Sequence, residues 1–354
     1  MIDQQEATGS GSGARRVLVS ILNWNAARKT LRCVESLVLQ NTDNLDVKLS
    51  VIDNGSRPGE SEILLNGLAD TGVALSFQEK NLGFAGGHNL SIRSAIEGDL
   101  EFVWLVNNDA TVHPDALVNM IRLMDADPQC GAVSPVSIAE HDHSRVDFIG
   151  AKHDWANLTS IRLHSQSEVI SEESRHAKDM WISGAAVLFR MKAIKQIGML
   201  DEKLFAYFED NDISARLSAA GWKNRMAFDA KIVHACHDGD DTNRPPYFFY
   251  LMQRNAFRFW RKNTPSQFRR SMTVRLLDRS LYEVNKLYHQ GHYALGQAAL
   301  LGTSDGLFGR SGPPVLNRSP SKIVALLRIV FNFQHRRALQ RLDAANTPQS
   351  GPTI

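Results

Sequence analysis

Cysteine is scarce in this chain, and neither sign of charge dominates. The 354 residues include three cysteines, Cys33, Cys130 and Cys236, and none of them forms a CxxC pair. Thiols this few and scattered argue against a disulfide framework and favour a reducing compartment, so we expect a cytoplasmic protein. Lysine and arginine number 40 against 38 acidic residues, a formal net charge of +2. This balance gives no global case for a nucleic-acid partner.

Long hydrophobic runs are also missing. No uninterrupted apolar segment approaches the roughly 20 residues that span a bilayer. Residues 1–15 combine acids with small polar residues and have no apolar core, which predicts a flexible tail rather than a signal peptide. Any membrane association should therefore be peripheral, at the inner face of the cell membrane. With 43% hydrophobic residues, the chain can bury one large core and a smaller appendage.

Apolar runs alternate with helical patterns over the first 110 residues. Near-continuous apolar strands separated by helices predict an α/β fold with a doubly wound, mostly parallel central sheet. The runs are VLVSIL at 17–22, VKLSVID at 47–53, VALSF at 73–77 and FVWLV at 102–106.

The composition changes further along the chain. Between about 138 and 178 polar residues dominate, which predicts long loops or an insertion. The segment 254–277 contains seven Lys or Arg and no acid, and the remainder has helical patterns. We expect a main domain over residues 16–265 and a helical C-terminal extension over residues 266–354.

Polar residues end several predicted strands at the carboxyl side, where open α/β sheets bind ligands. Asn23 ends the first strand and Asp53 the second, and Asn107, Asn108 and Asp109 follow the fourth. Asp53 precedes Asn-Gly and has an alternative explanation as a turn residue. Its position beside Asn23 at the same sheet edge favours recognition of a base or ribose.

A divalent metal is one explanation for Asp109. An oxygen-rich strand end suits Mg²⁺ or Mn²⁺, and His234, at the end of a later strand, is a candidate second ligand. A solvated loop or a helix cap is the alternative for Asp109. A lone histidine is more often structural.

The turn NLGFAGGHN at 81–89 is rich in glycine. Gly83, Gly86 and Gly87 permit close approach of the backbone to a ligand, and the following helix offers N–H groups to a diphosphate. An ordinary loop explains the same residues. The first turn, NWNAA, contains no glycine, so the sequence does not support a nicotinamide cofactor.

Three acids, Glu209, Asp210 and Asp212, fall at the start of a predicted helix. Acids in a first turn are favoured by the helix dipole, by roughly 0.3–1 kcal/mol each. Clustered acids also raise one another's pKa, which tunes a general base. The two explanations are compatible.

Taken together, the motifs resemble those of family-2 glycosyltransferases with the GT-A fold, and more narrowly the rhamnosyltransferase-like branch. The resemblance covers about residues 16–262, and the block from Ser183 to Trp222 is its most specific part. The motifs, in order, are VLVSILNWN, VIDNGS, NLGFAGGHN, WLVNNDATV, SGAAVLFRMKAIKQIGMLDEKLFAYFEDNDISARLSAAGW and VHACHDG.

The resemblance implies an inverting transfer from a nucleotide-diphosphate sugar, with rhamnose from a dTDP donor as the best prediction. Asn23 and Asp53 would hold the nucleoside. Glu209 and Asp210 would form the catalytic pair, with Asp210 as the base, and Asp109 and His234 would bind Mg²⁺ or Mn²⁺. The diphosphate side of the donor would be lined by Asn81, Gly83, Gly86, Gly87, Asn89, Asn107 and Asn108.

The same resemblance implies a saccharide or polyprenyl-diphosphate-linked acceptor. Trp181, Gly184 and Glu209 would lie on the acceptor side, although an aromatic residue such as Trp181 is more often part of the core. If the acceptor is polyprenyl-diphosphate-linked, Arg254 at the mouth of the active site would meet its diphosphate. The aromatic and basic segments 247–262 and 321–337 predict either contact with an anionic membrane or a helical cap on the main domain. Asn107 replaces the first acid of the family's D-x-D metal motif, which predicts weaker metal binding.

Other functions are compatible with parts of the pattern. Within the class, the donor could be UDP-galactofuranose or a UDP-hexose. Outside it, the alternatives are a sugar nucleotidyltransferase and a catalytically silent nucleotide-sugar-binding module. The first turn lacks the glycines expected of a nucleotidyltransferase, and a silent module has no need to keep Asp109, Asp210 and His234 together.

Overall fold

The computed structural model describes residues 13–235 and 241–346. The predicted tail lies outside these residues except for its last three positions, and so do Cys236 and the end of the VHACHDG motif. The first half alternates strands and helices. They are β1 (Arg15–Asn23), α1 (Ala27–Val38), β2 (Leu45–Asp53), α2 (Pro58–Leu68), β3 (Ala74–Phe77), α3 (Gly83–Glu97) and β4 (Phe102–Asn107).

The second part of the main domain contains more strands. The elements are β5 (Ala110–Val112), α4 (Ala116–Ala126), β6 (Cys130–Ala139), β7 (Asp142–Phe148), β8 (Ala151–Asp154), β9 (Thr159–Arg162), α5 (Gln166–His176), β10 (Met180–Trp181), β11 (Ala186–Arg190), α6 (Met191–Ile197), α7 (Glu209–Ala219) and β12 (Lys223–His234).

One nine-stranded sheet organises the domain, in the order β3-β2-β1-β4-β11-β6-β12-β5, with β7 paired to β6. Strands β1 to β4 are parallel, and β6 and β12 are parallel. Strands β5, β7 and β11 pair antiparallel with their neighbours. The predicted α/β fold with a mostly parallel sheet in its first half and helices on both faces is confirmed.

The sheet is covered on both faces, which explains its near-continuous apolar strands. In β1, Val17, Val19 and Ile21 belong to one core cluster and Leu18 to the cluster on the opposite face. The first five side chains of β4 are all buried and apolar. The polar side chains of β4 therefore begin only at Asn107, where the strand ends.

Of the two alternatives predicted for 138–178, the long loops were wrong. This region contains β7, β8, β9 and α5, and β8 and β9 form a second sheet with the following strand in the order β10-β8-β9. Strand β7 is exposed at five of its seven positions and β9 at three of four. Their polar composition reflects edge strands that face water, so it does not mark the absence of regular structure.

Four α-helices follow the sheet in the described chain, and the predicted helical C-terminal region is present. Helix α8 packs on α10, and both contact α9. Within the described part of the chain, no helix has the length and apolar character needed to cross a bilayer. Their bounds are α8 (Pro246–Asn263), α9 (Met272–His289), α10 (Tyr293–Leu307) and α11 (Lys322–Asn346).

Candidate active site

A hydrogen-bonded chain links the carboxyl ends of the first strands. Asn23 and Asp53 are register partners in β1 and β2, and Asn23 Nδ2 donates to Asp53 Oδ1 at 3.0 Å. Ser61 Oγ donates to the other Asp53 oxygen at 2.8 Å. Thr30 Oγ1 donates to Asn23 Oδ1, and Asn108 Nδ2 donates to Thr30 Oγ1. The sequence did not identify Thr30 and Ser61, which fix the orientation of this buried edge.

The glycine-rich turn makes its closest approaches to the chain itself. A Cβ at Gly83, where φ is +76°, would lie 2.3 Å from the Phe205 carbonyl oxygen. A Cβ at Gly87 would lie 2.4 Å from Leu22 Cδ1. Asn81 Oδ1 accepts from Gly83 N at 2.7 Å. The absence of side chains at Gly83 and Gly87 is therefore explained by packing against Phe205 and β1.

Two other predicted donor residues on α3 have internal contacts. Asn89 is 1% exposed, and its Nδ2 donates to Leu200 O and Glu202 Oε1. Its Oδ1 accepts from Leu200 N. A Cβ at Gly86 would meet Leu82 at 3.0 Å. The Asn89 amide is buried and forms its hydrogen bonds within the protein. Its predicted contact with the donor is therefore corrected: Asn89 links α3 to the segment 200–202.

The end of β4 meets the end of β12 at the candidate metal centre. Strand β5 pairs with β12, with Ala110 opposite His234, and this pairing brings Asp109 to the histidine. Asp109 Oδ1 lies 3.3 Å from His234 Nε2, and Asn107 Nδ2 lies 3.3 Å from the same nitrogen. Asp147 Oδ2, on β7, lies 3.8 Å from the other ring nitrogen of His234. Sequence reasoning missed Asp147, because its strand was predicted to be a loop.

Charges at this centre stabilise one another. Burial lowers the basicity of His234, but Asp109 and Asp147 outweigh it and raise the pKa of His234 to about 9. Burial also opposes ionisation of Asp109, yet the His234 ring and Lys29 hold the pKa of Asp109 below its usual value. The pKa of Asp147 is lowered too, first by its interaction with His234.

The donor set fits a divalent cation. The Asp109 carboxylate and the His234 imidazole converge here, and these oxygen and nitrogen ligands suit Mn²⁺ and, less well, Mg²⁺. Asn107 faces the imidazole through its amide nitrogen, so its oxygen would join the set only with the amide turned over. The other ring nitrogen, His234 Nδ1, is buried and faces the Asp147 carboxylate at 3.8 Å. Metal-ligating histidines also have a carboxylate on this side of the ring, at hydrogen-bond distance. Among the described residues, no three His, Cys, Asp or Glu side chains form a complete metal cage.

Asp210, in the first turn of α7, is held by uncharged donors. Gly184 N donates to Asp210 Oδ2 at 3.2 Å, and the backbone and side-chain nitrogens of Asn211 lie 2.8 and 2.9 Å from Oδ1. Asn211 Oδ1 then lies 3.1 Å from His153 Nε2. Since Asn211 uses its amide nitrogen on Asp210, its oxygen accepts and His153 Nε2 donates. His153 and Asn211 are site residues that the sequence did not identify.

Burial dominates the acid–base properties of this second cluster. It raises the pKa of Asp210 above the usual value despite its amide donors. Burial, with the neighbouring Asp210 charge second, raises the pKa of Glu209 to about 8. The pKa of His153 falls to about 4, again through burial. At neutral pH, Glu209 and His153 are therefore uncharged.

The loop before α7 is strained and tightly held. Phe205, Tyr207 and Phe208 all have positive φ, between 67° and 72°. The Nδ2 atom of Asn255, on α8, lies 2.7–2.9 Å from the carbonyl oxygens of residues 204, 206 and 207. Non-glycine residues with positive φ persist only where surrounding contacts impose them. We call residues 204–208, with Asn255 as their anchor, the catalytic loop.

Two predicted acceptor residues contribute to packing. Arg254 is 1% exposed, and its guanidinium donates to the carbonyl oxygens of Leu204 and Gly312. It therefore links the catalytic loop to the C-terminal region, which corrects its predicted place at the mouth of the site. Trp181 is half-buried with its ring stacked on His153. The predicted acceptor contact of Trp181 stays a prediction.

Comparison with known proteins identifies the family. The sequence model described as "Glycosyltransferase like family 2" matches residues 14–259. An N-acetylglucosaminyl-diphospho-decaprenol L-rhamnosyltransferase from Mycobacterium tuberculosis is 26% identical over 220 residues, 56% of this chain and 69% of that protein. Galactofuranosyltransferase GlfT1 from Mycolicibacterium smegmatis is 26% identical over 198 residues, 56% of this chain and 63% of that protein.

A solved structure is similar in fold. It is the mannosyltransferase PcManGT from Pyrobaculum calidifontis in complex with GDP-Man and Mn²⁺, with a TM-score of 0.50 and 16% identity. The alignment covers 94% of this chain and 84% of that chain. The resemblance found in the motifs is confirmed: the chain belongs to glycosyltransferase family 2 and is a family-2 glycosyltransferase with the GT-A fold.

Proposed function

We propose that this enzyme transfers a sugar from a nucleotide-diphosphate donor to a hydroxyl group of a saccharide or lipid-linked saccharide, with inversion at the anomeric carbon. The observation that carries the proposal is the environment of Asp210. This carboxylate is oriented by Gly184 and Asn211, and no cation of the described residues forms an ion pair with it. A raised pKa and neutral hydrogen-bond donors are the properties of a general base.

In the proposed reaction, Asp210 accepts the proton of the acceptor hydroxyl. The acceptor oxygen bonds to the anomeric carbon while the bond from that carbon to the diphosphate oxygen breaks on the opposite face. Glu209, uncharged at neutral pH, places no second negative charge beside the base. The catalytic loop fixes the first turn of α7, which supports the orientation that in-line attack needs.

We further propose that Asp109, His234 and Asn107 hold Mn²⁺ or Mg²⁺ at the donor's diphosphate. A divalent metal there would stabilise the negative charge of the departing nucleoside diphosphate. Asn107 supplies a neutral oxygen in place of a carboxylate, which is consistent with weaker binding than in a D-x-D site. The similar mannosyltransferase was solved in complex with Mn²⁺, which agrees with this choice of metal.

For the donor, we propose rhamnose carried by dTDP. Similarity to the mycobacterial L-rhamnosyltransferase supports it, and similarity to GlfT1 keeps UDP-galactofuranose as the second candidate. The buried Asn23–Asp53 pair would form the floor of the nucleoside site. Asn81, Gly83, Gly86 and Gly87 remain proposed for the diphosphate side through their backbone, and Asn108 through its link to Thr30.

A donor screen tests this proposal. The full chain is incubated with dTDP-rhamnose, UDP-galactofuranose, UDP-glucose and GDP-mannose, with Mn²⁺ or with EDTA, and thermal shift and donor hydrolysis are recorded. We expect the largest Mn²⁺-dependent shift with dTDP-rhamnose. Equal shifts for all four donors would contradict the donor proposal, and equal shifts in EDTA would contradict the metal proposal.

We also propose that the acceptor is lipid-linked and that the enzyme contacts an anionic membrane peripherally. Helix α11 carries five apolar side chains that are 49–64% exposed, Ile323, Leu326, Ile329, Val330 and Phe333. Apolar side chains beside basic residues are typical of helices that lie at a membrane surface.

Sedimentation with phosphatidylglycerol vesicles tests the membrane contact. Leu326→Glu should reduce the bound fraction. The matched control is Leu65→Glu on α2, where the leucine is 53% exposed. Equal retention of the two variants would contradict the role of α11.

A further inference from the structure

A basic pocket lies outside the candidate active site, between α8 and the C-terminal end of α10. Its volume is about 360 Å³. Among the described residues, every charged side chain that lines it is a cation. We call it the α8–α10 pocket, and its lining residues are Arg254, Arg258, Arg261, Lys262, Gly306, Gly309 and Arg310.

Two aspartates neutralise part of this positive charge. Asp201 Oδ2 lies 2.7 Å from Arg258 and 3.2 Å from Lys262. Asp212 Oδ1 lies 2.8 Å from Lys262, but Asp212 also pairs with Arg216. These carboxylates are buried or nearly so and are shared between cations.

Two further cations of the pocket are less well balanced. Arg310 Nε lies 3.7 Å from Asp305 Oδ1, whose closer partner is Arg318, and the Arg310 side chain is 61% exposed. Arg261 Nη1 donates to the carbonyl oxygens of Gly306 and Leu307, and no carboxylate in the described part of the chain forms an ion pair with it. The α8–α10 pocket therefore has more positive charge than its surroundings balance.

Structural needs explain only some of these residues. A cation at the end of α10 donates hydrogen bonds to the last carbonyl groups of that helix, which explains the position of Arg261 Nη1. Burial without a compensating anion lowers the pKa of Arg261. Capping gives no reason to place Arg258, Lys262 and Arg310 around the same open space.

We propose that the α8–α10 pocket binds a phosphate-bearing anion, either a free phosphate compound or the phosphate group of a lipid. Guanidinium groups bind phosphate oxygens through paired hydrogen bonds, and several cations around one cavity match a multiply charged anion. Phe308, in the segment that lines the pocket, is 60% exposed and would lie beside the apolar part of a lipid. Asp210 does not line this pocket, and binding here does not depend on the identity of the sugar donor.

Titration of the full chain with inorganic phosphate, at low salt and with EDTA present, tests the site. Affinity is measured by isothermal calorimetry for the wild type, Arg310→Gln and Arg261→Gln. Each substitution removes one charge-assisted contact, and we expect each to weaken phosphate binding about fivefold or more. The matched control is Arg175→Gln, because the Arg175 side chain is also 61% exposed and ion-paired, to Glu172.

Phosphate binding that is absent, or that Arg310→Gln and Arg175→Gln change equally, would overturn the proposal. Because Arg310 is exposed, its variant should fold, and thermal melting checks this. A second arm uses phosphatidylcholine vesicles with and without phosphatidic acid. Retention that requires phosphatidic acid and falls in Arg310→Gln assigns the pocket to a lipid phosphate. Phosphate binding without such retention assigns it to a free phosphate compound.

Discussion

Two clusters in this enzyme use the same residue types in opposite electrostatic states. At the end of β4, His234 lies between Asp109 and Asp147 and has a pKa of about 9. At the start of α7, His153 reaches Asp210 only through the amide of Asn211 and has a pKa of about 4. His234 faces its two carboxylates directly, whereas the Asn211 amide lies between His153 and Asp210. The first cluster is therefore a charged carboxylate–imidazole pair, and the second is a carboxylate held by neutral donors.

The difference supports the separate tasks proposed for the two aspartates. An ionised carboxylate beside an imidazole can take up a metal cation in exchange for the imidazole proton, whereas a carboxylate with a raised pKa and neutral hydrogen-bond donors can accept a proton. We therefore expect substitutions at the two clusters to fail in different ways.

The largest effect is expected at Asp210. Asp210→Asn removes the proposed base while keeping its shape, so turnover should fall by roughly 10²–10⁴-fold with donor affinity little changed. Glu209→Gln is the matched control, since Glu209 already carries a proton at neutral pH. Comparable losses in turnover for the two variants would show that Asp210 and Glu209 do not have the different roles proposed here.

His234→Gln should act on metal and donor affinity. We expect Mn²⁺ affinity to fall by at least the roughly 10–100-fold that loss of an outer metal partner costs. The measurement is Mn²⁺ titration followed by electron paramagnetic resonance, with the exposed His113 changed to Gln as a control. Unchanged Mn²⁺ affinity would show that the cluster of Asp109, Asn107 and His234 is not the metal site.

Asn255→Leu tests whether the catalytic loop positions Asp210. The change leaves carbonyl groups of the loop without their donor, at a cost of about 1–3 kcal/mol in the free energy of unfolding. A displaced loop should also lower kcat by up to about 10²-fold with little change in the KM for donor.

A buried asparagine on α9 provides the control for Asn255. Asn285 is 2% exposed and donates to the Arg328 carbonyl oxygen, far along the chain from the site residues. Asn285→Leu should lower stability without lowering kcat. Equal kcat in the two variants would reduce Asn255 to a purely structural residue.

Most residues of the candidate metal centre could be predicted from the sequence, but few of the residues that support Asp210 could. Asp53 and Asp109 stand out because buried strands end beside them, and hydrophobic runs locate strand ends well. His153 and Asp147 lie on β8 and β7, whose alternation of polar and apolar residues is too short or too exposed to indicate strands. The hydrophobic pattern therefore identified the carboxyl edge of the main sheet but missed His153 and Asp147, which contact the residues of the candidate site.

Arg254 and Asn89 show a second limit. Asn89 was predicted at the substrate from its place in the glycine-rich motif, and Arg254 from its place in the basic segment 247–262. Each nevertheless turns polar groups to backbone carbonyls or amides of the segment 200–204. A motif residue can act by holding a loop, and sequence spacing does not distinguish this from contact with substrate. Only the packing of α3 and α8 on that segment shows the difference.

The last prediction concerns the pH dependence of stability and not turnover. Glu209 has a folded-state pKa of about 8, above the 4.5 of a free glutamate. The folded state thus keeps a proton that the unfolded state releases, so its contribution to stability is complete below pH 4.5 and is lost as pH rises towards 8. Glu209→Gln removes this dependence.

We therefore expect the melting temperature of Glu209→Gln, relative to the wild type, to be higher at about pH 8 than at about pH 5. Each unit of pKa shift corresponds to about 1.4 kcal/mol, which sets the scale of the effect. Differential scanning calorimetry at the two pH values measures it. A pH-independent difference would mean that Glu209 is ionised in the folded protein.

The central claim is that Asp210, not the His234 pair, performs the proton transfer. The most direct test is the pH dependence of kcat/KM for the acceptor at saturating donor and Mn²⁺. We predict one rising limb with a pKa above the 3.8 of a free aspartate, because burial raises the pKa of Asp210. A kcat/KM for the acceptor that does not change with pH, or one that follows the binding of Mn²⁺ and not the titration of Asp210, would contradict the account.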